Sequence, residues 1–238
     1  MKHRTMLLAL VVVSGLLYAL PAVASAGVWD IKPAGVSFTA TAGETKLTAT
    51  GLTVKCTSNT TAGAYDAGSE QTGKITKLVF HGCTGPLGVT CTGTLNGASE
   101  PSGTITATAP LPFHNVTLEP TPNLEHKRGI LITPKEIDNT FTSGLGHFAS
   151  FKCAGIETKV AGNGIIGEVT KPACEEASLT GNLIFESPST GVQKWQQITT
   201  EGTKFDLWSK TGGASHVTSS EDGTGTITFA EKVTPNCT

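Results

Sequence analysis

Short apolar runs alternate with threonine, lysine and other polar residues throughout the chain after residue 34. An apolar side chain at every second position is typical of a β-strand, and no window keeps the 3.6-residue period of a helix for more than two turns. The alternation predicts strands at Gly35–Ala40, Thr45–Cys56, Lys74–His81, Val89–Leu95, Gly103–Ala107, His114–Leu118, Ile130–Thr133, Phe148–Cys153, Glu157–Ala161, Ile165–Val169, Ser178–Phe185, Trp195–Thr199, Thr203–Trp208 and Gly225–Val233.

One predicted strand, "KITKLVFH" (Lys74–His81), shows the alternation clearly. Its two predicted faces carry Ile75, Lys77 and Val79 on one side, and Thr76, Leu78 and Phe80 on the other. Apolar residues on both faces suit a strand that is covered on both sides.

Turn signals separate the predicted strands. They are Gly85-Pro86-Leu87-Gly88, Asn96-Gly97, Gly162-Asn163-Gly164, Gly212-Gly213 and Asp222-Gly223, the last interpreted as a hairpin turn. Many short strands joined by frequent turns indicate an all-β fold, either an antiparallel β-sandwich or a barrel-like meander. The composition agrees, because 38 threonines favour pleated surfaces and 28 glycines favour turns.

Residues 1–26 have the pattern of a secretory signal peptide. A basic start at residues 2–4 precedes the apolar run Met6–Leu20 and the small-residue site Ala24-Ser25-Ala26. This order predicts cleavage after Ala26 and a secreted product. A retained membrane anchor is the weaker interpretation, because the apolar run is short for a bilayer.

The exported part is predicted to form one domain, residues 27–238. A proline-rich crossing at 109–129 could divide this part into two halves, or could form a long surface connection within one domain. We favour one domain, because a bridge between Cys56 and Cys153 would span the crossing.

Charge and hydropathy exclude two classes of partner. Lys2 and Arg4 leave with the signal peptide. The exported part therefore keeps 15 of the 17 Lys and Arg residues and all 19 acidic residues, which gives a net charge near −4. An acidic chain lacks the basic surface that attracts nucleic acid, and no second apolar run is long enough to span a membrane. We therefore predict no nucleic-acid partner and no membrane span, and a glycan or a cell-surface component stays open as a partner.

Six cysteines follow the signal peptide: Cys56, Cys83, Cys91, Cys153, Cys174 and Cys237. An even number of cysteines in an exported chain predicts disulfide bonds. Zinc binding by His81 with Cys83 and Cys91 is disfavoured, because no CxxC pair is present and the two cysteines are far apart for a zinc knuckle. We expect His81 to be an ordinary strand residue.

The pairing of the cysteines has several solutions. Cys83 and Cys91 flank a turn and would face each other across a hairpin, so we favour this bridge, which leaves Cys56 with Cys153 and Cys174 with Cys237. The serious alternative pairs Cys56 with Cys83 and Cys91 with Cys153.

Several motifs carry a resemblance. They are "KCTS" (55–58), "VFHGC" (79–83), Cys91-Thr92, "GTITATAPL" (103–111), "FASFKCAG" (148–155) and the later "QQITTEG", "FDLWS" and "TGTITFAEKV". In this order they resemble a family of uncharacterised secreted Thr/Gly-rich proteins of high-GC Gram-positive bacteria, over most of the exported chain. The resemblance implies export and a β-rich fold, and it implies no activity. Cys174 and Cys237 are additional to the family pattern.

No motif predicts catalysis, a cofactor or a metal. "GNGIIG" (Gly162–Gly167) satisfies G-x-G-x-x-G, but Pro172 arrives too early for the helix that a dinucleotide site requires, so we predict a glycine turn. Ser215 and His216 would point to opposite faces of a strand. The histidines after residue 26 lack ligand spacing: His81, His114, His126, His147 and His216.

Two tryptophans are the candidate ligand platform. In "TKFDLWSK", alternation places Asp206 and Trp208 on one polar face with Lys204, and Trp195 could extend the platform. A tryptophan beside a carboxylate can stack on a sugar ring. We favour the alternative that Trp208 fills an edge of the sheet, because tryptophan is usually largely buried.

The sequence thus predicts a secreted, disulfide-stapled β protein without catalytic chemistry, with a structural or binding role at the cell surface or outside the cell. A carbohydrate-binding module that uses Trp195 and Trp208 is the second interpretation, and a secreted hydrolase is the third. Three glycosylation sequons occur, at Asn59, Asn115 and Asn236.

Overall fold

The computed structural model describes residues 29–49, 51–119, 127–136, 146–198 and 203–237. The predicted signal peptide and His126 lie outside these residues. The described chain is all-β, with one 3₁₀ turn at Pro86–Gly88. Its strands are β1 (Asp30–Lys32), β2 (Ser37–Ala49), β3 (Leu52–Cys56), β4 (Ser58–Tyr65), β5 (Thr72–His81), β6 (Cys91–Leu95), β7 (Ala98–Ser99), β8 (Ile105–Thr106), β9 (Leu111–Glu119), β10 (Lys127–Ile132), β11 (His147–Cys153), β12 (Ile156–Gly162), β13 (Ile165–Lys171), β14 (Ser178–Phe185), β15 (Leu207–Thr211) and β16 (Val217–Asn236).

Eight of the strands form a closed, barrel-like antiparallel sheet, which we call the first ring. The order of paired neighbours is β2, β4, β5, β9, β10, β13, β14 and β16, and β16 pairs with β2 to complete the circuit. β9 and β10, which lie on either side of residues 120–126, are neighbours in this ring. Closure leaves no free edge and encloses an interior between inward-facing side chains.

A second ring shares β2 and β16 with the first. Residues 217–219 of β16 pair with β15, followed by β12, β11 and β6. Thr84 forms isolated β-bridges to Thr90, just before β6, and to Lys55 of β3. β3 pairs with β2, which completes the second ring. The lengths of β2 and β16, 13 and 20 residues, allow both strands to serve both rings.

The N-terminal segment Trp29–Lys32 crosses one end of the first ring. β1 pairs with the end of β16, while Ile31 N donates at 2.9 Å to Glu70 O, which lies between β4 and β5. The Trp29 indole Nε1 donates to Gly129 O at 3.0 Å, and Asn115 Nδ2 donates to Trp29 O at 3.2 Å. Contacts to four strands or turns around the ring make this segment a cap over its interior.

The observed disulfides are Cys56–Cys83, Cys91–Cys153 and Cys174–Cys237. The favoured bridges Cys83–Cys91 and Cys56–Cys153 are therefore wrong, and the alternative pairing is confirmed. Lys55 and Thr84 exchange both backbone hydrogen bonds, so the next pair, Cys56 and Cys83, is a narrow pair with a Cα separation of 4.0 Å.

A backbone bond explains why the hairpin cysteines stay apart. Cys91 N donates to Cys83 O at 2.9 Å, and hydrogen-bonded pairs hold their Cα atoms further apart than narrow pairs do. Cys91 is directly opposite Cys153 on its other side, with a Cα separation of 4.3 Å. The four cysteines thus lie side by side on adjacent strands. Each forms its disulfide with the neighbour whose Cα atom is closer.

Most predicted strands and turns are confirmed, including the two-residue turn at Asn96-Gly97, where both residues have positive φ. The glycine turn at Gly162-Asn163-Gly164 joins β12 to β13, and His81 ends β5. The predicted hairpin turn at Asp222-Gly223 is wrong, because both residues lie inside β16. Gly223 is required there by close packing, since a Cβ atom would lie 2.7 Å from Thr45 Cγ2.

The predicted faces of β5 are also wrong. The pairing of β4 with β5 shifts between Ala62 and Gly63, whose partners are Lys77 and Ile75. This bulge moves Leu78 and Phe80 to the same interior as Ile75. The predicted strand Thr45–Cys56 is divided into β2 and β3, with Gly51 at a φ of 75° in the turn.

A second apolar layer covers part of the outside of the first ring. Val116, Leu118, Leu131, Ile166 and Ile198 are buried together, with Trp195 and Phe205 packed against them. The segment that carries Trp195 and Phe205 therefore lies over β9, β10 and β13. This explains why these strands carry apolar residues on both faces.

Candidate functional site

The interior of the closed sheet contains a cavity of about 180 Å³. Its lining is predominantly apolar, and three phenylalanines from different strands form part of it: Phe38, Phe113 and Phe229. Phe38 meets Phe113 edge to face at 5.9 Å between ring centroids, and meets Phe229 at 6.5 Å. Aromatic pairs of this geometry form a rigid wall.

Glycines make room for these rings. A Cβ atom on Gly63 would lie 2.6 Å from Phe38 Cζ, and one on Gly73 would lie 2.3 Å from Phe113 Cζ. Any other residue at these positions would displace a ring or a strand. The tips of the Phe38 and Phe113 rings therefore lie close to the backbone of β4 and β5.

The lining is not closely packed everywhere. Phe38, Leu183 and Phe185 point into the ring but are only half-buried. Gly225 of β16 faces the cavity as well, and a Cβ atom there would meet only ordinary contacts, the nearest 3.6 Å away at Thr41 O. Protein interiors normally fill such space, so this region can accommodate another molecule.

One part of the lining is polar. Asn59 and Thr61 of β4, Thr45 and Lys46 of β2 and Glu221 of β16 lie around the level where the two rings meet. Burial raises the pKa of the Glu221 carboxyl to about 7, and the neighbouring Asp222 adds to the rise. The site therefore combines an apolar body with a single acid that titrates near neutral pH.

Replacing Glu221 should change how stability depends on pH. The unfolded carboxyl ionises near its ordinary pKa of 4.5, whereas the folded one keeps its proton up to about pH 7, so the wild type loses stability between these values. The free energy of unfolding of Glu221→Gln should not fall over this pH range. The fall in the wild type should exceed that in the variant by at most about 3 kcal/mol. Urea unfolding of both proteins at about pH 5 and about pH 8 measures the difference. An equal loss in both proteins would contradict a raised pKa of the Glu221 carboxyl.

The structure places the predicted tryptophan platform outside the cavity. Trp195 is half-buried, and its indole Nε1 donates to Glu168 Oε2 at 3.0 Å. The ammonium groups of Lys127 and Lys194 lie 5.1 and 5.5 Å from its ring centroid. The polar edge and the ring thus already have partners, which leaves little free surface for stacking on a sugar.

Trp208 and Asp206 both have local partners. Trp208 is half-buried on β15, with its ring centroid 6.2 Å from that of His216. Asp206 Oδ1 accepts from Gln196 Nε2 at 2.5 Å, and its carboxylate pairs with Lys204 at 3.1 Å. Platform use of these residues stays a prediction, since their contacts serve the local structure.

Two of the three sequons have structural roles. Asn115 is buried, where its side chain accepts from Tyr65 Oη at 3.1 Å and donates to Trp29 O. Asn59 lines the cavity. The Asn115 side chain is therefore not presented for modification on the folded surface. In the described part of the chain, no three His, Cys, Asp or Glu residues are grouped as metal ligands are.

Sequence reasoning missed the residues that line the cavity, above all Glu221 and Gly225. The signal was present in "EDGTGTITF", where Glu221, Gly223 and Gly225 alternate in step with Ile227 and Phe229. Two small residues and one acid on an otherwise apolar face predict a gap with a polar group beside it. Only the closure of the sheet turns that gap into a site.

The three disulfides indicate an extracellular or otherwise oxidising environment. Among the residues that the structure covers, no helix has the length and hydrophobicity needed to span a bilayer. Comparisons with protein-family models, with curated proteins and with solved structures found no match to this chain.

Proposed function

We propose that this protein is a secreted, non-catalytic binding protein that holds one small, largely apolar molecule inside its closed sheet. The observation that carries the proposal is the cavity of about 180 Å³, with half-buried apolar side chains such as Phe38 and Leu183 facing it. Apolar side chains that keep accessible surface in such a cavity gain free energy when a ligand covers them.

The architecture supports this use. A closed sheet of eight strands has an interior that either fills with side chains or holds one small ligand. Here Gly225 and Ala42 occupy inward positions on neighbouring strands, so the interior is underfilled at that level. An apolar cavity of about 150 Å³ can bind benzene, so this one has room for a somewhat larger molecule.

Export and rigidity fit a binding role. The predicted signal peptide and the resemblance to secreted proteins support release from the cell, and three disulfides fix the strands around the cavity. A pre-formed site loses less free energy on binding than one that must order itself. No motif in the sequence supports catalysis, so the interior serves for binding alone.

Calorimetric titration with 1-octanol tests the proposal. We expect saturable binding of one molecule per chain, with a negative heat-capacity change because apolar surface is buried. The melting temperature should rise with the octanol concentration, because the ligand binds the folded state. Failure of every straight-chain alcohol from pentanol to decanol to bind saturably would overturn the proposal. Binding to a glycan with a change in tryptophan fluorescence would favour the carbohydrate interpretation instead.

A further inference from the structure

The geometry points to Glu221 as the polar anchor of the cavity, and to an amphiphile with a compact apolar body and a basic amine as the class of ligand. This inference rests on the proposed function and deepens it. It follows from the direction of the side chain, from its carboxyl having no bonding partner in the part of the chain that the structure describes, and from the charged groups around it.

Alternation along β16 directs Glu221 inward. Gly223, Gly225, Ile227 and Phe229 all line the cavity, and Glu221 continues this series in steps of two. The intervening residue Asp222 faces outward, where its Oδ1 accepts from Ser187 N at 2.6 Å. The two adjacent acids therefore have different environments, and only Glu221 belongs to the cavity.

The Glu221 carboxyl has no hydrogen-bond or ion-pair partner among the described residues. Its backbone is held in place, since Leu47 is its partner on β2 and Gln193 Nε2 approaches its carbonyl oxygen at 3.4 Å. A carboxylate without a partner in a predominantly apolar site is unfavourable. A ligand that brings a positive charge and hydrogen-bond donors would satisfy it.

A hydroxyl group of the cavity lining also lacks a partner. Thr45 lies two positions from Leu47, the partner of Glu221 on β2, and its buried Oγ1 makes no hydrogen bond to the described residues. A protonated amine offers three donors and no acceptor, which complements a carboxylate and hydroxyl oxygens. A carboxylate ligand would add acceptors and a repelling charge.

None of the charged residues that the structure describes around Glu221 forms an ion pair with its carboxyl. On β16 the adjacent group is Asp222, which is also acidic. Lys46 on β2 pairs in register with Asp222 and lines the cavity. Lys171, which also lines the cavity, lies at the end of β13 beside Asn182. Above neutral pH the Glu221 carboxylate is thus an unpaired negative charge next to the apolar body of the cavity, whose lining includes these two lysines.

The experiment compares octylamine, 1-octanol and octanoate as probes of equal chain length. At about pH 8 we expect octylamine to bind at least about tenfold tighter than octanol, and octanoate to bind weakest. Because the Glu221 pKa is about 7, the ionised fraction falls about tenfold between pH 8 and pH 6, and the octylamine affinity should fall by the same factor. Octanol should show no such pH profile.

The Glu221→Gln variant should bind octylamine and octanol equally at both pH values, and the matched control Glu231→Gln, on the exposed part of β16, should behave as the wild type. If Glu221→Gln does not fold, the inference is tested by two measurements on the wild type: the pH dependence of the octylamine affinity and the order of the affinities of the three probes. Octanol binding without an amine preference, or a preference for octanoate, would overturn this inference and leave the proposed function standing. Failure of all three probes would overturn this inference, and failure of the other straight-chain alcohols as well would overturn the proposed function.

Discussion

Replacing Gly225 with leucine is expected to reduce the affinity for 1-octanol by more than about tenfold, a loss of about 1.4 kcal/mol or more. Gly225 faces the cavity, its backbone conformation is open to any residue, and a Cβ atom would meet no atom closer than 3.6 Å. The leucine side chain therefore occupies the ligand space without straining the strand. Calorimetric titration of the purified variant measures the loss.

The same substitution should not unfold the protein. Filling a cavity commonly adds about 0.5–2 kcal/mol of stability, so denaturant unfolding should show a stability equal to or above that of the wild type. Thr226→Leu is the matched control, because Thr226 is exposed on the outer face of the same strand. Octanol binding that survives Gly225→Leu unchanged, or that is lost equally in Thr226→Leu, would place the ligand elsewhere.

Removing the bridge between Cys91 and Cys153 is expected to lower the free energy of unfolding by about 4 kcal/mol or more. The loop that it closes spans 62 residues, and restriction of the unfolded chain by such a loop accounts for about 4 kcal/mol. Both sulfurs lie in the buried core, so Cys91→Ala with Cys153→Ala also leaves a cavity. Urea denaturation under non-reducing conditions measures the change.

The bridge between Cys174 and Cys237 provides the control. Its loop of 63 residues is almost the same length, but both cysteines are half-buried near the end of β16. The Cys174→Ala and Cys237→Ala double variant should therefore lose less stability than the core pair. The reverse order, or a peptide map that links Cys83 to Cys91, would contradict the arrangement of the core.

Local patterns predicted the fold class because strand formation depends on neighbouring residues. Alternation located strands such as Ile165–Val169, and Asn96-Gly97 identified a turn whose positive φ values these two residues tolerate. The even number of cysteines predicted full pairing, which the three bridges confirm. These features require no knowledge of distant partners.

Features that depend on distant contacts were predicted poorly. The bulge in β5 arises from its pairing with β4, a threonine- and alanine-rich strand that the apolar pattern did not reveal. The extra length of β16 through Gly223 depends on β2, almost 180 residues earlier in the chain. The site was missed for the same reason, since Glu221 and Phe38 share a cavity only after the sheet closes.

Methyl NMR spectra recorded during an octanol titration test the location of the ligand most directly. We predict saturating shifts for methyl groups that line the cavity, such as those of Ile75, Val169 and Ile227, and no shift for the exposed Leu179 and Ile156. Shifts confined to exposed methyl groups, or no saturating shift at any position, would show that the closed sheet does not bind apolar molecules in its interior.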